Sequence, residues 1–147
     1  MSPEGWHTPS EVEFFSARAE DIDEALVERG AYGRFPMVEA KGLTEVSLAT
    51  LGEILGVGAY DDLVDQIAEG PQAESGEAGV VTIPRAFRDA VAGAPDLDSA
   101  AERWTATEEM AADRRRKEDV LDVLRELSEL ARSAASEERD VWYWWCL

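Results

Sequence analysis

Apolar residues recur along this chain at spacings of three to four in some stretches and two in others, and the changes of spacing divide it into elements. Glu11 to Ala17 (EVEFFSA) is short, aromatic and β-branched, and predicts a strand. Ala19 to Arg29 carries Ile22 and Leu26, with acids in its first turn, and predicts a short helix stopped by Gly30. Gly42 to Leu55 is the clearest helix of the first half. Thr44 is placed to accept from the free N–H groups of its first turn, Leu43 can staple onto Leu48, and Leu48, Leu51 and Leu55 share a face. Tyr60 to Glu69, with Leu63, Val64 and Ile67, predicts a short acidic helix closed by Gly70.

In the second half, Val80 to Ile83 reads as a strand running into Pro84, which suits the first position of a helix that buries Phe87 and Val91. Ser99 with Glu102 has the spacing of a capping box and predicts a helix through Trp104 toward Met110. Lys117 to Ala135 is the longest element, with Val120, Leu124, Leu127, Ala131 and Ala134 forming a stripe that Val123 and Leu130 widen. Asp140 to Leu147 (DVWYWWCL) closes the chain as a strand. Its two-residue period puts Val141, Tyr143, Trp145 and Leu147 on one side and Trp142, Trp144 and Cys146 on the other. Both sides are apolar, which predicts an interior position in a sheet.

Helices separate the three predicted strands, so none can pair with the next as a local hairpin. The class that follows is α+β: a helix-rich single domain over residues 1–147, with a small sheet formed by the N-terminal, middle and C-terminal strands. Residues 1–10, with two prolines and a glycine, read as a loose arm, and residues 70–79 (GPQAESGEAG) as a mobile surface loop.

This succession resembles the uncharacterised bacterial YfbM-like small α+β proteins. The likeness lies in the opening strand and helix, the helix led by Pro84, and the alanine-ending helix Leu121 to Ala135 running into the apolar strand Val141 to Leu147. The chain departs from that family at Leu43 to Gly58, which lacks the Trp- and His-bearing helix and the Thr-Gly turn. The resemblance implies an intracellular α+β domain without an assigned activity, and some of these relatives look like immunity proteins of bacterial toxin systems.

Charge changes the picture most. Of 147 residues 32 are acidic and 14 basic, a net charge of −18. Counting along the sequence, residues 1–79 hold 17 acids and 4 bases and residues 80–147 hold 15 and 10, so the nets are −13 and −5. Such a field repels nucleic-acid backbones and anionic lipid, so neither is expected as a partner. Met1 to Ser10 lacks the pattern of a signal peptide and no apolar run approaches the ~18 residues of a membrane span, so a cytoplasmic protein is expected.

Catalytic chemistry is sparse. The one histidine, His7, falls in the loose arm, which leaves Ser–His or Cys–His catalysis without a positioned base. The one cysteine, Cys146, lies between Trp145 and Leu147 and reads as an inert thiol. Asp61-Asp62-Leu63-Val64-Asp65 has the spacing that can place carboxylates around Mg²⁺, but a chain this acidic repeats the pattern about once or twice by chance. No metal or cofactor is expected. Arg114-Arg115-Arg116-Lys117 is bracketed by Asp113, Glu118 and Asp119 and reads as a polar junction.

The expectation is therefore a non-catalytic acidic protein-binding module, of immunity or antitoxin type, that neutralises a basic partner. Its contact residues would be Tyr60, Asp61, Asp62, Asp65 and Glu69, with the aromatic face of Trp142 and Trp144 as an alternative surface. Competing readings are a housekeeping interaction domain, a nucleic-acid mimic, and a small-ligand binder or enzyme that uses carboxylates alone.

Overall fold

The computed structural model describes residues 11–31, 33–40, 43–67, 69–112 and 115–147. The expected arm 1–10, His7 included, lies outside them. The fold is α+β, and its centre is the last strand. β5 (Asp140–Cys146) pairs antiparallel with β1 (Glu11–Ala17) on one side and with β4 (Ala78–Thr82) on the other. Two short strands complete the sheet: β2 (Met37–Glu39) on β1 and β3 (Glu69–Gln72) on β4, in the order β2-β1-β5-β4-β3.

The two-sided apolar pattern of β5 explains its position, because each face meets a separate core. Val141 and Tyr143 join Val12, Phe14 and Val81 in the larger one, where Phe14 meets Tyr143 edge-on at 5.4 Å between ring centroids. Trp142 and Trp144 join Phe15, Ala17 and Val80 in the smaller one, on the opposite face.

The helices divide unevenly between these faces. α1 (Glu24–Arg29) contributes Leu26 and Val27 to the smaller core. α2 (Glu45–Ile54), α3 (Tyr60–Gln66), α4 (Arg85–Ala92), α5 (Leu97–Thr105), α6 (Glu108–Ala112) and α7 (Lys117–Ser136) serve the larger. The α7 stripe is buried as its spacing predicts, from Val120 through Ala134, and the helix lies across β1, β2 and β5. Trp104 of α5 is fully buried, and its indole N–H donates to the Ser47 carbonyl of α2 at 3.0 Å, which ties two helices by one side chain. No helix among the described residues is long and apolar enough to cross a membrane.

Several boundaries differ from the sequence reading, each for a local reason. The segment expected as a mobile loop, 70–79, is mostly a hairpin: Glu69–Gln72 pairs with β4, leaving a turn over 73–77. Pro71 is tolerated there because β3 lies at the edge of the sheet, where an outward N–H has no ladder partner. β2, three residues long, is too short to show a period. The helix expected over Ala19 to Arg29 begins only at Glu24, where the Asp23 carboxylate accepts from the Leu26 N–H at 2.8 Å; a 3-10 turn precedes it. Asp96, and not Ser99, caps α5, accepting the Ser99 N–H at 3.0 Å and starting the helix at Leu97. That helix stops before Met110 because the Thr105 and Thr107 hydroxyls each donate to a carbonyl of its last turns, of Ala101 and Trp104.

Candidate functional site

The residues singled out on the sequence scatter. Asp61, Asp62 and Asp65 stand exposed on α3. Tyr60 is half-buried against the larger core, and its backbone N–H donates to Glu53 Oε2 at 3.0 Å. Glu69 leaves the group altogether: α3 ends at Gln66 and Glu69 opens β3. The reason is Ile67, which turns out of the helix and is buried.

The alternative aromatic surface is corrected outright. Trp142 is 8% exposed and Trp144 2%, and their indole N–H groups donate to the carbonyls of Ala17 and Val27 at 2.9 and 2.8 Å. Both belong to the core beneath α1. Of the basic run, Lys117 pairs with Asp98 at 2.8 Å and Arg116 with Glu118 at 3.7 Å, while Arg114 lies outside the described residues.

The described concavity opens elsewhere, between α1 and the β3–β4 hairpin. It has two adjoining lobes that share Glu28, Ala73 and Glu74. The first, of about 640 Å³, is lined also by Glu77, Ala78, Cys146 and Leu147; the second, of about 330 Å³, by Asp23, Glu24, Val27 and Pro71 among others. Among the described residues its rim carries five carboxylates, and none of those lining either lobe is basic.

The local chain explains how they gather. Glu24 and Glu28 lie one turn apart on α1, a like-charge pair that a helix disfavours by a few tenths of a kcal/mol. The hairpin turn carries Glu74 and Glu77 around Gly76, whose φ of 75° suits glycine. Among the described residues, Asp23 alone of the five is paired with a cation. It receives both terminal nitrogens of the Arg34 guanidinium at 2.9 Å, and that bond, with the Leu26 N–H, lowers its carboxyl from 3.8 to about 2.

The described lining of the cleft is acidic and apolar. Cys146 shares its lobe with Glu28, Glu74 and Glu77. Among the described residues no group of three or more His, Cys, Asp or Glu side chains is arranged to hold a metal ion. The sequence signal for this cleft was the uncompensated Glu24–Glu28 pair; Glu74 and Glu77 join it only through the hairpin. No family model, curated protein or solved structure matches this chain.

Proposed function

We propose that this protein is a non-catalytic acidic binding module whose partner presents a basic surface, an immunity- or antitoxin-type neutraliser being the form that fits best. One observation carries the reading: the negative charge of the first half is left uncompensated at the surface. Residues 1–79 bear 17 acids against 4 bases, and the carboxylates of Glu24, Glu28, Asp61, Asp62, Asp65, Glu74 and Glu77 are exposed with no ion pair to a described residue. The C-terminal half, by contrast, pairs Arg85 with Asp140, Arg88 with Asp89 and Lys117 with Asp98. A field of one sign speeds encounter with an opposite surface and orients it, while adding little to the stability of the fold. A cytoplasmic setting goes with this reading, since a lone thiol such as Cys146 stays reduced there.

The test is capture of the partner from native lysate at low and moderate salt, followed by association kinetics with the purified protein. A basic partner whose on-rate falls steeply with salt, while its off-rate changes little, is the expected result. An acidic partner, or an on-rate indifferent to salt, overturns the reading.

A further inference from the structure

We infer that the basic partner docks in the cleft between α1 and the β3–β4 hairpin, and that it inserts an extended segment carrying arginine or lysine side chains. The inference rests on the reading above and names the surface and the chemistry within it. Three features separate this cleft from the acidic face of α3.

The first is shape. Asp61, Asp62 and Asp65 project from the outside of a seven-residue helix, whereas the cleft is a trough of two lobes that meet at Glu28 and Glu74. An extended segment can place one side chain in each lobe with both carboxylates between them. The second is lining. The rim is acidic, but Val27, Ala78 and Leu147 supply apolar surface beneath it, and Leu147 is among the few large apolar residues left exposed, at 41%. Arginine and lysine match that arrangement, because their aliphatic stems cover apolar surface while their charged ends reach the rim. The third is charge complementarity. No described lining residue is cationic, and the Arg34 guanidinium is already held by Asp23, so among the described residues an incoming cation meets Glu24, Glu28, Glu74 and Glu77 without an internal competitor.

The experiment uses the full chain, fluorescein-labelled nona-arginine as the probe, and two triple variants that each remove three negative charges. One is Glu28→Gln/Glu74→Gln/Glu77→Gln in the cleft; the other is Asp61→Asn/Asp62→Asn/Asp65→Asn on α3. In about 0.1 M salt, where screening acts over about 10 Å, the cleft variant is expected to lose at least about tenfold in affinity and the α3 variant less than about twofold. Equal losses overturn the cleft as the site and leave the electrostatic reading standing. Wild-type protein that does not bind the peptide overturns both.

Cys146 gives a second measurement that needs no variant. A cationic methanethiosulfonate should modify it faster than an anionic one, and nona-arginine should slow that modification in proportion to its occupancy. Peptide that binds without protecting Cys146 overturns the cleft as the docking site.

Discussion

Replacing Gly30 by alanine tests the smaller core at its tightest point. Gly30 ends α1 with φ 84° and ψ −174°, a backbone region that is essentially glycine's own and costs another residue about 1–3 kcal/mol. A Cβ there would stand 2.7 Å from Glu13 Oε1 and 3.0 Å from Trp144 Cε3. Neither neighbour gives way freely. Glu13, 6% exposed, accepts the Ala31 N–H at 2.9 Å, and the Trp144 indole is tied to the Val27 carbonyl. Relieving the overlap adds about 1–3 kcal/mol, and the unfolded chain's lost freedom returns about 0.4–1 kcal/mol. The net is a destabilisation of about 3 kcal/mol, a large share of the ~5–15 kcal/mol typical of a folded domain. At about 3 °C per kcal/mol for a chain of this size, the melting temperature falls by roughly 10 °C. Urea unfolding followed by tryptophan fluorescence and far-ultraviolet circular dichroism measures it. Gly33→Ala is the control: its φ is 79°, but an added Cβ meets nothing within 4 Å, so it carries only the backbone cost. If Gly30→Ala costs no more than Gly33→Ala, the packing of Gly30 against Glu13 and Trp144 is not what holds α1 to the sheet.

Three further outcomes are expected. Glu138 sits at φ 57° just past α7, where the Arg139 N–H bonds the Ala134 carbonyl and the Glu138 N–H the Ala135 carbonyl, a Schellman arrangement that favours glycine; Glu138→Gly should therefore raise stability by about 1 kcal/mol in urea unfolding, and a loss would contradict the strain. The Asp23 carboxyl is lowered to about 2 by the bond from Arg34, so its contribution is full above the ordinary carboxylate pKa near 4 and is lost as pH falls through about 2. Asp23→Asn should thus show a smaller fall in urea midpoint between pH 4 and pH 2 than wild type, and an identical fall would refute the assignment. Deleting Asp140 to Leu147 removes the strand between β1 and β4 and should abolish cooperative unfolding, which a sharp thermal transition in the truncated protein would disprove.

The N-terminal, middle and C-terminal strands, the α7 stripe and the interior position of β5 were legible in the sequence, because each rests on a short-range period that burial must satisfy. The split of β5 into a Tyr143 side and a Trp144 side was legible for the same reason. Whether the Trp144 side met solvent was not. Period two gives both faces alike, and only α1, arriving from residues 24–29 to cover Trp144, makes that face core. The short strands β2 and β3 also escaped, since three residues (MVE) or four with a glycine and a proline among them (EGPQ) carry no period, and their pairing partners supply the stability that the local sequence lacks.

The excess of acid over base, and its concentration in the first 79 residues, is a property of composition that no fold could alter. Where that charge gathers around a cleft is a property of tertiary structure alone. Glu28 and Glu74 face one cleft because α1 packs on the β3–β4 hairpin, and Cys146 joins them because β5 runs beside β4. Long-range pairing of this kind depends on which surfaces bury one another, and along the chain that information is spread over residues too far apart to form a pattern.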